Sequence, residues 1–337
     1  MIEQPILQVR KLCKHFPIYK KGFFNRQTGV VKAADEISFD LMAGETLGLV
    51  GESGCGKTTT GRCILRALKP TSGNVLFRQG EHTLDLAQLP EHQLKPLRTD
   101  IQMIFQDPFS SLNPRMTVGD IVAEPLVIHN LGNRRERLDR VNSMLLKVGL
   151  KPEHRSRYPH AFSGGQRQRI GIARALIMNP KLVICDEAVS ALDVSVQAQV
   201  INLLQDLQQE MDLTLIFIAH DLSVVKHICD RIAVMYAGRI VELATADQLF
   251  NHPLHPYTQA LLRSVPNPDP DQPMTFGLEG EVADPGNLPK GCAFHPRCSF
   301  CEDACRQAIP KLQPLAENRQ IACIRFPQNQ KTDPKSY

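Results

Sequence analysis

At 337 residues, 42% of them hydrophobic, the chain is long enough for a full core and, as a prior, for two domains. Its formal charge of +4 is too small to argue nucleic-acid binding on electrostatic grounds alone, so charge leaves the partner open. The opening MIEQPILQVRKLCKHF lacks a basic start followed by an apolar run, and apolar runs such as LTLIFIA fall far short of the roughly 20 residues that span a bilayer; neither an export signal nor a membrane span is expected.

From Gly44 the chain reads GETLGLVGESGCGKTTTGRCILRALKPTSGNVLF: an apolar strand, a glycine-rich turn, a helical segment, then a second strand. Residues about 86–165 are richer in helix formers and charge, and RRERLDRVNSMLLKVGL is amphipathic, which predicts a mainly helical insert. PKLVICDEAVSALD and DLTLIFIAHDLSVVKHI each give a short apolar run followed by a polar turn and a helix, the pattern of buried parallel strands in an α/β core. From His252 the prolines of HPLHPYTQALLRSVPNPDPDQP read as a connection between domains.

Five of the ten cysteines (Cys13, Cys55, Cys63, Cys185 and Cys229) are scattered; Cys55 aside, they read as small buried residues. The other five crowd into GCAFHPRCSFCEDAC and Cys323, and in a chain without an export signal a disulfide framework is not expected.

GESGCGKT, Gly51 to Thr58, fits the phosphate-loop pattern between a predicted strand and helix. Gly51, Gly54 and Gly56 let the backbone wrap a phosphate with its N–H groups at a helix start. Lys57 then reaches the β- and γ-phosphates and Thr58 reaches Mg²⁺, while Ser53, Cys55 and Thr59 complete the ATP-binding stretch. Cys55, close to Lys57 and a helix N-terminus, is expected to be a reactive thiol that ATP protects. In LVICDE, Asp186 ends an apolar strand and can hold Mg²⁺, and Glu187 can polarise a water; alone, such acids are better explained as helix caps, but their place downstream of a phosphate loop favours the functional roles. In FSGGQRQRIGIARAL, Ser163, Gly164, Gly165 and Gln166 open a long helix and form a second anion-binding start.

This last run resembles the ATP-binding-cassette signature, and the resemblance spans nearly all of residues 1–255. It implies a cassette fold: an α/β P-loop core with an antiparallel β subdomain and a helical subdomain. It also implies a head-to-tail dimer, in which the signature of one cassette closes over ATP on the loop of the other. Gln106 in IFQDP is similar to the Q-loop glutamine, also a magnesium ligand; Asp193 in SALD to the D-loop; His220 in FIAHD to the switch histidine; Phe16 in KHFPI to the aromatic that stacks on adenine. Glu187, His220 and Gln106 are thereby expected to be catalytic. One position departs: Ala188 stands where the family usually has proline, which puts the stiffness of that turn in question.

QDPFSSLNPRMTVGDIVAEPL and NHPLHPYTQALLRSVP resemble the ATPase subunits of oligopeptide and dipeptide importers, a subfamily that also takes in nickel and glutathione importers. The resemblance implies a second ATPase subunit of a different chain, two permeases, an extracytoplasmic solute-binding protein, and a peripheral place on the cytoplasmic face of the bacterial inner membrane; it implies no nucleic-acid partner. A cassette ATPase acting on ribosomes or DNA is the alternative, but such relatives carry two cassettes or a long coiled coil, and neither is visible. Residues 1–255 are expected to be the nucleotide-binding domain and 256–337 a linker with a small cysteine-rich domain.

Some importer ATPases hold a [4Fe–4S] cluster on four C-terminal cysteines, and Cys292, Cys298, Cys305 and Cys323 match that pattern, C-x5-C-x6-C-x17-C. Tetrahedral zinc is the second reading, and unmetallated thiols in a small domain are the third. Cys301 makes a C-x2-C pair with Cys298 that suits zinc on spacing, and the resemblance leaves it out.

Overall fold

The structure is a computed structural model describing residues 4–20, 26–107, 109–264, 280, 283–316 and 318–326. Every residue of β3 (Thr46–Val50), β7 (Leu182–Asp186) and β8 (Thr214–Ile218) is buried, as continuous apolar runs demand of parallel strands covered on both faces. β3 pairs in parallel with β8, β8 with β7, and β7 with β6 (Ile101–Ile104). On the other side β9 (Arg231–Tyr236) runs parallel to β3, and β10 (Arg239–Thr245) turns back antiparallel to β9.

A second, four-stranded antiparallel sheet is ordered β2-β1-β4-β5, from β1 (Leu7–Lys20), β2 (Arg26–Leu41), β4 (Ser72–Gln79) and β5 (His82–Asp85). Helix α1 (Lys57–Ile64) packs between the two sheets, and its Cys63 and Ile64 join Leu7, Phe77, Leu47 and Ile216 in one apolar cluster. Gly61 lets this helix approach closely, since a Cβ there would meet Ile218 at 2.9 Å. The opposite face of the main sheet is covered by α5 (Gly164–Leu176), α6 (Val194–Glu210) and α7 (Leu222–Ile228).

β6 follows α2 (Glu91–Leu97) and belongs to the main sheet, so the stretch expected to be helical contains a core strand. The helices beyond it are α3 (Val118–Ile128), capped by Thr117, and α4 (Arg134–Lys147), opened by a capping box of Asn133 and Glu136.

The connection expected from His252 is overturned over residues 252–264. After α8 (Ala246–Asn251), Pro256 opens α9 (Pro256–Arg263), whose Tyr257 and Thr258 are fully buried. Proline at a helix start costs no hydrogen bond, so here it initiates an element and breaks none. The rest of the proline run lies outside the described residues.

The C-terminal residues are joined to the core. After α10 (Asp303–Gln307), β11 (Gln313–Ala316) pairs with β12 (Arg319–Ile321), and β12 pairs with β10, which brings the main sheet to eight strands. Cys13, Cys63, Cys185 and Cys229 are all buried, as expected of scattered cysteines. No helix among the described residues is long and apolar enough to cross a membrane.

Candidate active site

β3 delivers Gly51 to a loop that ends at Gly56, the residue before α1. The loop needs its glycines: φ is +148° at Gly51, +79° at Gly54 and +105° at Gly56, and a Cβ on Gly56 would lie 1.8 Å from the Ala33 carbonyl. No side chain caps α1, so its first N–H groups face the loop as anion donors. Lys57 Nζ donates to the carbonyls of Gly51 (2.8 Å) and Glu52 (3.0 Å), curled over the cradle it is expected to serve.

Thr58 Oγ1 donates to Asp186 Oδ1 at 2.7 Å, so two of the three expected magnesium ligands meet across 128 residues of sequence. Burial pushes the Asp186 carboxyl up, against the opposing pull of Thr58 and Arg62. Gln106, Glu187 and His220 converge as well. Gln106 Nε2 donates to Glu187 Oε2 at 2.8 Å, and His220 Nδ1 lies 3.5 Å from the same oxygen. Each follows a strand of the parallel sheet (β6, β7 and β8), so the carboxyl ends of three neighbouring strands gather them.

Glu187 sits at φ +48°, a left-handed conformation that a non-glycine residue adopts at a cost. Its N–H donates to Ile218 O at 3.0 Å, and its carbonyl accepts from Ser190 N (3.1 Å) and Ser190 Oγ (3.0 Å). These bonds hold the turn with Ala188, buried at 1% exposure, in place of the usual proline.

Cys55 corrects the expectation of a reactive thiol. It is 2% exposed, and burial pushes its thiol up even with Lys57 Nζ 3.8 Å from the sulfur. Desolvation of a thiolate in this buried position outweighs the attraction of the one nearby cation.

Ser163 caps α5, and a capping box with Gln166 fixes that start. Gly164 and Gly165 then lie against α6 and the residues before it; a Cβ on Gly165 would meet Val196 Cγ1 at 2.4 Å. Asp193 is exposed at the head of α6 with no side-chain capping bond. Phe16 lies on β1, 36% exposed, with Lys14 Nζ 4.8 Å from its ring centre. Ser53 is exposed in the loop and Thr59 half-buried on α1.

In the C-terminal stretch, Cys292, Cys298, Cys305 and Cys323 line one small apolar cavity with Phe294 and Phe300, and Cys301 does not line it. Burial pushes the thiols of Cys292 and Cys298 up, and that of Cys323 to about 11. The only His, Cys, Asp and Glu grouping among the described residues tight enough for a single ion is Cys13, His15 and Asp35, within 4.8 Å of one another. Asp35 is already bonded by Arg239 and Lys32.

Sequence reasoning missed Glu52, Tyr257 and Arg297. The Glu52 N–H donates to Tyr257 Oη at 2.9 Å, and its carboxylate accepts both Arg297 Nη1 (2.8 Å) and Nη2 (3.0 Å). Arg297 carries no motif signal, since its partner is 245 residues away.

A family model described as ABC transporter matches residues 34–190, and one described as Oligopeptide/dipeptide transporter, C-terminal region, matches residues 241–305. The chain is 53% identical over 325 residues to the oligopeptide transport ATP-binding protein AppF of Bacillus subtilis, covering 95% of this chain and 97% of that one. The chain belongs to the ABC transporter family. OppF of Salmonella typhimurium is 54% identical over 313 residues, covering 91% and 92% of the two chains. Among solved structures, cbiO1 of Clostridium perfringens, part of the ABC transporter complex cbiONQ, aligns with a TM-score of 0.62 at 29% identity, covering 74% of this chain and 92% of that one. The cassette MJ0796, in a dimeric post-hydrolysis state bound to ADP and Pi, aligns at 0.61 and 27% identity, covering 71% and 98%.

Proposed function

We propose that this ABC transporter subunit drives the import of di- or oligopeptides through partner permeases. The chain is an ATP hydrolase of its family, to which the meeting of Gln106, Glu187 and His220 at the carboxyl ends of three parallel strands corresponds. The observation that carries the peptide reading is the 53% identity over 95% of this chain to an oligopeptide transport ATP-binding protein. Gly51, Ser53, Gly54, Cys55, Gly56, Lys57, Thr58 and Thr59 cradle the phosphates of ATP, and Phe16 stacks on its base. Thr58, Asp186 and Gln106 hold Mg²⁺, which supplies charge neutralisation on the phosphate oxygens. Glu187 aligns the attacking water and takes its proton, held on aim by the strained turn and by Gln106; His220 shares that carboxylate oxygen. Ser163, Gly164, Gly165 and Gln166 close over ATP on a second ATPase subunit, with Asp193 at the same seam. A solute-binding protein outside delivers the peptide, and this subunit works peripherally at the cytoplasmic face of the inner membrane.

Residues 1–255 are the nucleotide-binding unit and 256–337 its C-terminal extension, in which Cys292, Cys298, Cys305 and Cys323 hold a [4Fe–4S] cluster. What supports this reading is the donor set, four thiols lining one small apolar cavity. The test is reconstitution of the subunit with its permeases in vesicles. ATP-dependent uptake of labelled di- or oligopeptide is expected, and hydrolysis stimulated by nickel or glutathione but by no peptide would refute the substrate assignment.

A further inference from the structure

An acidic side chain inside a phosphate loop carries the same sign of charge as the ligand the loop is built to hold. Glu52 stands one residue after Gly51, in the cradle meant for the most anionic part of ATP, and a bare carboxylate there repels the ligand. The structure meets that charge with Arg297, whose guanidinium makes two parallel bonds to the Glu52 carboxylate at 2.8 and 3.0 Å. The Arg297 side chain is 5% exposed and that of Glu52 20%.

The same residue is held twice more. Its N–H is bonded to Tyr257 Oη, and its carbonyl accepts from Lys57 Nζ. Tyr257 packs against Tyr236 with ring centres 4.7 Å apart, and Phe294 closes on both, at 5.3 and 5.4 Å. The Arg297 N–H donates to Phe294 O at 3.0 Å, so backbone, rings and guanidinium form one packed unit. Two of the three residues whose side chains tie Glu52, Tyr257 and Arg297, lie beyond 255, and Arg297 directly precedes Cys298.

We propose that Arg297 is a positioning residue of the nucleotide loop: from the C-terminal extension it neutralises and fixes Glu52, so that the loop's affinity for ATP depends on the extension being in place. The inference rests on the reading of residues 51–58 as the ATP loop. Arg297 touches no reacting atom; it acts through Glu52. Removing the guanidinium leaves a carboxylate unpaired beside the phosphates, and most of the loss comes from that stray charge.

The test is the affinity of the full-length chain for a fluorescent ATP analogue, measured without turnover, with circular dichroism to verify folding. Arg297→Ala is expected to weaken binding about tenfold, a value kept low because Glu52 is partly solvated. Arg297→Lys falls between, since one ammonium cannot bond both oxygens as a fork does. The double variant Glu52→Gln/Arg297→Ala recovers most of the affinity, because it removes the stray charge with its partner. Lys57→Ala is the control for the loop itself and is expected to lose binding. If Lys57→Ala binds like the parent, the reading of the loop falls. If it loses binding while Arg297→Ala stays within about twofold of the parent, or the double variant is as weak as Arg297→Ala, the positioning role is overturned.

Discussion

Glu242 is the residue on which docking of the C-terminal extension turns. It is fully buried on β10, directly opposite Ile321 of β12, and its Oε1 accepts from Arg319 Nη2 at 2.7 Å. Its carboxylate also accepts the N–H groups of Leu254 (3.2 Å) and His255 (2.9 Å), which lead into α9. Glu242→Ala would strand the Arg319 charge, 9% exposed, and leave two backbone donors without their acceptor. Breaking a buried pair costs ~3–5 kcal/mol and an orphaned buried donor ~1–3 kcal/mol; with overlap between these terms, about 4 kcal/mol is expected. Arg319 Nε has no partner of its own, so the pair is imperfectly satisfied, and replacing both members together by Met should cost less than the single change by the share due to the stranded charge, the two backbone donors being orphaned in both. The assay is hydrogen exchange of the β12 and α9 amides. At 1.4 kcal/mol per tenfold, their exchange by local opening should rise by roughly a hundredfold to a thousandfold in Glu242→Ala. Protection within about threefold of the parent would refute the claim that this carboxylate clamps the extension, as would a double Met variant that opens as readily as the single one.

Glu187→Gln should leave affinity for ATP near the parental value and cut hydrolysis in the assembled transporter by about a hundredfold or more, since the carboxylate and not the cradle is removed; near-parental turnover would remove Glu187 from the mechanism. Cys55 should resist alkylation at neutral pH in the native chain, with or without ATP, while the partly exposed Cys301 is modified, as peptide mass mapping would show; rapid labelling of Cys55 would contradict its burial. Anaerobically purified protein should be brown with about four irons and four labile sulfides per chain. Serine at Cys292, Cys298, Cys305 or Cys323 should lower that content and serine at Cys301 should not; stoichiometric zinc without iron would exclude the cluster.

Elements whose chemistry is local are legible in the amino-acid order. The phosphate loop is readable because Gly51, Gly54 and Gly56 are needed by backbone that no Cβ can follow, a demand met within eight consecutive residues. The buried strands β3, β7 and β8 are readable because a strand covered on both faces writes itself as an unbroken apolar run. Features that depend on distant partners become visible once the chain is folded. Proline-rich HPLHPY looks like a connection, yet its Tyr257 is buried under the phosphate loop and its backbone is tied to Glu242, because burial there is supplied by β10 and Phe294. Cys55 looks activated by a neighbouring lysine, yet the fold takes its sulfur out of water, and desolvation wins. The bond from Arg297 to Glu52 leaves no periodicity or spacing in the sequence, because a salt bridge is set by where two chain segments end up in space.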